Sequence, residues 1–245
     1  MKLHYGMLAM AGFLFFSCTD DGIMNEQEEA IVTTESVNPT SKVVNKVWGF
    51  DNLNQWEDAT QVGEQNYLIE NGVLRMFTNA FSWDRTKVKS KATYTTGTYS
   101  WEIFVPEMGE GDKASIGAFL YEDDTHELDF EIGYGTQADR LVLNAAPDEV
   151  LAFMTSQANP FQSIPVKIKR GQWYTFSMEL TLNAKNKYFV NWKIDDEVVS
   201  SLQLTYGTKS KFKIFCSVEN LNFIGDHIPY SQNYALFDSV SFSGN

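Results

Sequence analysis

Hydrophobic and polar residues alternate along most of the chain beyond about residue 46, in short segments separated by Asn, Gly, Asp and Pro. A period of two places successive side chains on opposite faces of a β-strand, so each segment predicts a strand with one buried face. The clearest segments are YLIENGVLRMFT, TYSWEIFV, WYTFSMELTL, KYFVNWKIDDEVVSSLQL, KFKIFCSV and ALFDSVSFS. Short strands of this kind with turn residues between them predict an all-β fold, a sandwich of two antiparallel sheets.

Local signals within these segments agree with this fold class. Asn71-Gly72 divides the first segment, and this dipeptide favours a two-residue hairpin turn. Pro106 directly follows TYSWEIFV and is expected to end that strand. With 245 residues, of which 43% are hydrophobic and 14% aromatic, the chain is large enough to bury one full core. We therefore expect one folded domain over residues 46–245.

The N-terminal part of the chain departs from the alternating pattern. The apolar run GMLAMAGFLFF is too short to span a bilayer comfortably and follows a basic start, so residues 1–17 are predicted to be a signal peptide. Residues 18–45 are polar, acidic and without a period, which predicts a flexible acidic tether.

Cys18 lies at the junction between these two segments. Ser17-Cys18 resembles a bacterial lipobox, in which the cysteine is lipidated and becomes the mature N-terminus. Phe15 and Phe16 replace the usual aliphatic and small residues, so cleavage without a lipid is the alternative. The following TDDGIMNEQEE is similar to the tether of surface lipoproteins in Bacteroidetes-like bacteria. This resemblance implies an extracytoplasmic protein, held by a lipid anchor at the outer membrane or cell surface of a Gram-negative bacterium.

Lipidation of Cys18 leaves Cys216 as the one remaining cysteine, so no intrachain disulfide can form. In KFKIFCSVEN, Cys216 shares a strand face with Ile214 and Val218, which predicts a small buried hydrophobic residue.

The charge balance limits the classes of partner. The chain has 19 basic and 32 acidic residues, a net charge of −13, which argues against nucleic acid. The same charge disfavours sulfated or uronic-acid polymers, although one local basic cluster can override an average. Lys87, Lys89 and Lys91 alternate along RTKVKSK and predict the solvent-exposed face of a strand. We expect a monomer with a neutral ligand.

The segment HELDFEIGYG places Glu127, Asp129 and Glu131 on one strand face, with apolar residues between them. Carboxylates roughly 6 to 7 Å apart raise one another's pKa where water is scarce, an arrangement that is costly unless it is used. Two long side chains such as Glu127 and Glu131 can bring their carboxyl groups to ~5 Å, the separation found in retaining glycosidases. Asp129 is shorter and can hydrogen-bond one glutamate without reaching the substrate.

ELDFEIG matches the E-x-D-x-E signature of glycoside hydrolase family sixteen, the laminarinase and lichenase group, in its form without a β-bulge. Flanking segments from RTKVKSK to ALFDSVSFS resemble the strands of that family, so the similarity covers roughly residues 47–242. It implies a concanavalin A-like jelly roll and a retaining, endo-type hydrolase of a β-linked, β-glucan-like polysaccharide. It also implies Glu127 as the nucleophile, Asp129 as its helper and Glu131 as the general acid/base.

The chain departs from the family where sugars bind. ASIGAFLYEDD lacks tryptophans that many relatives carry, and GQWYTFSM lacks their histidine. These departures motivate an alternative, a non-catalytic glycan-binding surface lipoprotein with the same fold. A purely structural surface domain is a third interpretation.

Three residues are candidates for substrate binding. Trp83 lies in the loop-like NAFSWDRT, Arg85 stands where lichenase-like members have an Arg-Thr pair, and Asn144 is predicted on the strand after the carboxylates. A surface arginine and a strand-end asparagine are the alternatives for Arg85 and Asn144. Trp101 and Trp192 are expected in the core.

No metal or cofactor is expected. YEDDTHELD is rich in carboxylates, but it lacks the spacing of an EF-hand and the second histidine of a zincin. We favour a solvated loop there, with a structural calcium ion as the alternative.

Overall fold

The computed structural model describes residues 43–244. Its elements are β1 Val44–Trp48, β2 Trp56–Asp58, β3 Tyr67–Glu70, β4 Val73–Thr78, β5 Arg85–Ser90, β6 Gly97–Val105, β7 Ala114–Asp123, β8 His126–Gly133, α1 Gln137–Leu143, β9 Glu149–Ser156, β10 Gln162–Lys169, β11 Gln172–Leu182, β12 Tyr188–Ile194, β13 Glu197–Gln203, β14 Lys213–Asn220 and β15 Asn233–Gly244. The predicted signal peptide, Cys18 and most of the predicted tether lie outside the described residues.

The strands form two antiparallel sheets. One sheet, called here the front sheet, has the order β10-β9-β8-β7-β14-β5-β2. The other, called the back sheet, has the order β13-β12-β11-β6-β15-β4-β3, with β1 paired to β15. The two sheets form a jelly-roll sandwich, which confirms the predicted fold class. Within the described residues, no helix is long and apolar enough to cross a membrane.

The core lies between the inner faces of the two sheets, because each strand buries every second side chain there. Leu128, Phe130 and Ile132 on β8 belong to it, and so does Cys216 on β14, a free thiol whose pKa is raised by burial. Trp101 and Trp192 are fully buried, as expected. The alternation read from the sequence therefore assigns the faces of these strands correctly.

The Asn71-Gly72 turn joins β3 to β4 with positive φ at both residues, 53° and 81°. Two central residues with positive φ define the hairpin turn that this dipeptide favours. The predicted hairpin is confirmed, and β6 ends at Val105, directly before Pro106.

The prediction that Asn144 lies on a strand is wrong. The residues before it form α1, which begins after the N-cap Thr136, whose hydroxyl accepts from the Asp139 amide at 3.1 Å. Asn144 is the C-cap in the left-handed region, with φ 50° and ψ 51°. The apolar letters in RLVLNA favoured a strand, but Leu141 and Val142 are exposed and the two caps stabilise a helical turn.

Candidate active site

Strand β8 carries the three predicted carboxylates near the middle of the front sheet, between β7 and β9. Glu127, Asp129 and Glu131 share its outer face, since the residues between them belong to the core. On β7, the residues paired with Asp129 and Glu131 are Phe119 and Gly117. The period of two along β8 thus places the three side chains on one outer face of the front sheet, where residues of β7 lie beside them.

Asp129 is the most deeply buried of the three. Its Oδ2 accepts a hydrogen bond from Gln157 Nε2 at 2.8 Å, and no donor group among the described residues reaches its Oδ1, which leaves that oxygen free to carry a proton. Burial raises the pKa of Asp129 well above its usual range, and the charges of Glu127 and Glu131 raise it further. A protonated Asp129 donates a hydrogen bond to Glu127, which lowers the pKa of that glutamate.

Glu131 is 9% exposed and accepts a hydrogen bond from the Ser115 hydroxyl. Burial raises its pKa to about 8, and the charge of Glu219 adds to this rise, while the bond from Ser115 opposes it. Because neutral pH lies below that value, Glu131 holds a proton and can serve as an acid.

Glu127 is only partly buried. Burial raises its pKa to about 7, whereas the positive charge of Lys87 and the bond from Asp129 lower it. The pKa values of both glutamates are therefore raised above that of a free glutamate, mainly by burial. Neighbouring carboxyl groups in such a setting can hold their protons unequally.

An ion cluster formed by residues of β14 and β5 lies beside the three carboxylates, with Glu219 and Lys87 buried and Arg85 partly exposed. Glu219 Oε2 lies 2.7 Å from Arg85 Nε and 2.9 Å from Lys87 Nζ. The predicted solvent-exposed face is wrong for Lys87, which is buried, because β5 lies inside the front sheet between β14 and β2. Glu219 went unpredicted, although the polar residues at the end of KFKIFCSVEN were a signal for it.

Gly117 keeps the floor open beside Glu131. It pairs with Glu131 on one side and with Ser217 on the other. A Cβ on Gly117 would lie 2.3 Å from Ser217 Oγ, so a larger side chain does not fit without displacing its neighbour.

Two core tryptophans brace this floor from the back sheet. Trp192 Nε1 donates to the carbonyl oxygen of Asp129 at 3.1 Å, and Trp101 Nε1 donates to that of Phe215 at 3.0 Å. Both side chains act as supports below the sheet, which excludes them as stacking platforms for a sugar.

A cavity of about 370 Å³ adjoins Glu127 and continues over β7, β14 and β5. It is lined by Ala59, Gln61, Arg85, Lys87, Lys89, Phe119, Tyr121, Asp124, Glu127 and Phe215. A ligand in this cavity would therefore contact Glu127 at one end and predicted binding residue Arg85 along one side.

The loop between β14 and β15 closes over the other end of β8. Ile224 is fully buried against Gly133, where an added Cβ would lie 2.3 Å from Ile224 Cγ1. The exposed Phe223 ring lies 6.5 Å from Phe153, which pairs with Glu131 on the neighbouring strand. This loop forms a side wall near the predicted acid.

A second exposed loop, before β5, carries Trp83. The Trp83 side chain is 45% exposed, and Lys113 Nζ lies 5.3 Å from its ring centre. The next residue, Asp84, holds the loop by accepting hydrogen bonds from Asn66 and Asn79. An exposed ring on an anchored loop is suited to stack on a sugar.

Two other exposed rings on these loops, Phe81 and Tyr230, were not predicted from the sequence. Phe81 and Tyr230 lie with their ring centres 5.8 Å apart, and the Phe81 amide donates to the Pro229 carbonyl at 2.8 Å. They join the two loops that carry Trp83 and Phe223. The aromatic letters of NFIGDHIPY were the signal, but a loop sequence does not reveal which strands it borders.

Known proteins offer similarity at the level of structure. No family model matches the sequence, and no curated protein matches it. Among solved structures, a Bacillus licheniformis β-glucanase superposes with a TM-score of 0.59 at 15% identity, covering 82% of this chain and 98% of that one. LamA of Z. galactanivorans, in complex with laminaritriose and laminaritetraose, gives 0.59 at 11% identity over 82% and 98%.

A third solved structure has a sugar product bound. It is a GH16 protein of the Bacteroides ovatus mixed linkage glucan PUL in complex with the G4G4G3G product, and it gives a TM-score of 0.55 at 13% identity over 81% of this chain and 99% of that one. The chain has a glycoside hydrolase-like fold. Identities this low show the fold alone, so the roles of the carboxylates depend on the chain's own geometry.

Asn144 lies apart from the carboxylates. It lines a separate cavity of about 490 Å³ beside α1, together with Tyr134 and Arg140. Its carbonyl oxygen accepts from Lys167 Nζ at 3.1 Å. The structure therefore groups Arg85 with Glu127 in one cavity, places Trp83 on the loop that leads into β5, and leaves Asn144 in another cavity.

The acidic turn between β7 and β8 brings Glu122, Asp123 and His126 together, with ligand atoms within 4.8 Å of one another. Asp123 Oδ1 already accepts from the Thr125 amide at 2.8 Å and contacts His126 Nδ1 at 2.9 Å. The bond to His126 is the main reason that the pKa of Asp123 is lowered to about 2. These are the bonds of a polar turn, and a structural calcium ion here stays the untested alternative.

Proposed function

We propose that the protein is a retaining, endo-acting glycoside hydrolase of a β-linked, β-glucan-like polysaccharide. The observation that carries this proposal is the placement of Glu127, Asp129 and Glu131 on one outer strand face, beside a cavity that Glu127 lines, with the pKa of both glutamates raised by burial. The fold shared with β-glucanases supports it.

In the first step, the Glu127 carboxylate attacks the anomeric carbon while Glu131 gives its proton to the departing glycosidic oxygen. The bond to the leaving sugar breaks, and a glycosyl ester forms on Glu127. In the second step, Glu131 takes a proton from water, whose oxygen attacks the same carbon and releases Glu127. Two inversions at one carbon give net retention.

Asp129 would act as a positioning residue. It is fully buried and bonded to Gln157, so its carboxyl group is held in place below the cleft. Its bond to Glu127 favours the ionised form of that glutamate, which is the form that attacks.

Endo action is supported by the cavity that extends from Glu127 over β7, β14 and β5. An extended binding surface on one side of the reacting bond provides room for several sugar units. Cleavage within a chain requires such room on both sides, and the outer faces of β9 and β10 would supply the other side.

The test compares the parent with Glu127→Gln and Glu131→Gln on laminarin, lichenan and galactan, measuring new reducing ends. We expect the parent to release reducing ends, with products that initially keep the β-configuration in NMR spectra, and each variant to lose about 10²- to 10⁴-fold in rate. Glu179→Gln is the matched control, because Glu179 lies on the outer face of the back sheet and pairs with Lys193. Equal rates for all four proteins would refute the proposed roles.

A second candidate is a surface glycan-binding protein without turnover. It is favoured by the floor of the cleft, where β7 offers Gly117, Phe119 and Tyr121 and no tryptophan. Binding to one of the same polysaccharides without any new reducing ends, in parent and variants alike, would select this candidate.

We also propose that the protein is a lipoprotein at the surface of a Gram-negative cell, because Ser17-Cys18 resembles a lipobox and an acidic segment follows it. Cys18→Ser should release the protein from the outer-membrane fraction and abolish incorporation of a labelled fatty acid. The lipid anchor would be contradicted if Cys18→Ser fractionated as the parent does and the parent incorporated no labelled fatty acid.

A further inference from the structure

A second cavity on the front sheet is lined by lysines. It has a volume of about 450 Å³ and receives Lys89, Lys209, Lys211 and Lys213, against one carboxylate, Glu122. Lysines at alternate positions of TKSKFK point to the same side as the outer face of β14, which explains why three of the four meet there.

The lysine cavity adjoins the cavity beside Glu127, since Lys89, Tyr121 and Phe215 line both. The rings of Tyr121 and Phe215, whose centres lie 5.8 Å apart, stand at the boundary between the two. The two adjoining cavities over β7, β14 and β5 are called the groove here.

In the lysine cavity four lysines face one lining carboxylate, whereas the cavity beside Glu127 holds three cationic side chains against Asp124 and Glu127. Glu219 is shared by Arg85 and Lys87, so two cations meet one carboxylate.

Glu57 is shared in the same way. It lies 3.2 Å from Lys213 Nζ and 3.9 Å from Lys89 Nζ. In the part of the chain that the structure describes, Lys209 and Lys211 form no ion pair.

The surplus is notable because the chain as a whole carries a net charge of −13. A single exposed lysine contributes little to binding, but several in one groove sum to a local potential that attracts anions. A neutral sugar hydroxyl would accept hydrogen bonds from these ammonium groups, whereas an anionic substituent would add the attraction between opposite charges.

We propose that the groove over β5 and β14 binds an anionic β-glycan, with a sulfate or carboxylate group of the sugar among Lys89, Lys209, Lys211 and Lys213. This inference rests on the proposed function and specifies its substrate class. It replaces the neutral ligand expected from net charge, because the local cluster overrides the average.

The test measures binding of the full-length exported protein carrying both Glu127→Gln and Glu131→Gln, so that affinity is recorded without cleavage. The probes are laminarin, laminarin sulfate and carboxymethylated laminarin, which share a backbone and differ in charge. We expect tighter binding of at least one anionic form, weakening as salt rises. The two anionic probes distinguish sulfate from carboxylate recognition.

Adding Lys209→Gln with Lys211→Gln should weaken binding of the preferred anionic probe roughly three- to tenfold and leave laminarin unchanged. The matched control is Lys46→Gln with Lys193→Gln, which removes the same charge from strands β1 and β12 of the back sheet. Equal weakening by the two pairs, or no preference for an anionic probe, would overturn the inference. Equal binding of dextran sulfate would overturn it too, since charge alone would then suffice.

Failure of this inference is distinguishable from failure of the proposed function. Cleavage of neutral laminarin by the parent without any anionic preference would retain the hydrolase and reject the anionic substrate. Lysine-dependent binding of an anionic probe that the parent never cleaves would retain the binding groove and reject the hydrolase.

Discussion

Glu131 on the outer face of the front sheet and Glu179 on the outer face of the back sheet have pKa values that are shifted in opposite directions. Glu179 on β11 of the back sheet is 34% exposed and lies 2.8 Å from Lys193 Nζ. That bond lowers the pKa of Glu179. Glu131 on β8 of the front sheet is buried beside Glu219 and Glu127, and its pKa is raised. The same residue type in the same pleated setting forms an ion pair on one face and is a buried carboxyl group with a raised pKa on the other.

The difference comes from the neighbouring strands rather than from the strands that carry the glutamates. On the back sheet, β12 presents Lys193 and Asn191 to Glu179. On the front sheet, β14 presents a carboxylate, Glu219, whose cations lie on the far side in β5. Like charges held together without water are costly, which marks the front face as the place where function is expected.

Among variants that keep both Glu127 and Glu131, the largest effect on activity is expected at Asp129. Asp129→Ala should reduce kcat/KM by about 10²-fold and move its acid limb to higher pH, because Glu127 loses the bond that lowers its pKa. Asp129→Asn should restore most activity, since an amide can donate to Glu127 and accept from Gln157. Ser177→Ala, on the outer face of the back sheet, serves as the control. Equal losses in the alanine and asparagine variants would contradict a positioning role.

The pH dependence of folding stability should differ in sign between variants of Glu131 and Glu179. The folded-state pKa of Glu131 is raised from 4.5 to about 8, so its contribution favours folding below about pH 4.5 and is lost as the pH rises through 8. Glu131→Gln should therefore become more stable relative to the parent between pH 5 and 9, by at least about 1 kcal/mol.

Glu179→Gln should behave in the opposite way. The pKa of Glu179 is lowered, so its contribution exists above the unfolded-state value and is lost on acidification. This variant should be less stable than the parent at pH 7, by under about 1 kcal/mol, and equal to it in acid. Urea unfolding at several pH values measures both variants, and slopes of the same sign would refute the contrast.

The smallest effect concerns two exposed tryptophans, Trp83 beside the front face and Trp173 on the back face. They are 45% and 42% exposed, so they are matched in accessibility. Trp83→Ala should raise KM for the polysaccharide roughly fivefold through lost stacking, with little change in kcat. Trp173→Ala should leave both constants unchanged. A similar rise in KM for both variants would show that Trp83 is no platform.

Local patterns in the sequence determined which face each strand buries. Strict alternation in ELDFEI placed Glu127, Asp129 and Glu131 together on one side, and Asn71-Gly72 specified its own turn. Both signals depend on residues adjacent in the chain, so no tertiary contact was needed to recognise them. The helix before Asn144 was missed because its two caps are weaker signals than the apolar letters between them.

Tertiary structure alone decided what surrounds the carboxylates. Lys87 is buried and Glu219 repels Glu131 only because β14 pairs with both β5 and β7. β14 lies far from these two strands in the chain. The same pairing gathers lysines from β5 and from the start of β14 into one groove, against a chain that is acidic overall. Strand faces follow from a period of two, but burial and charge at a site depend on which strands become neighbours, and that is a non-local property.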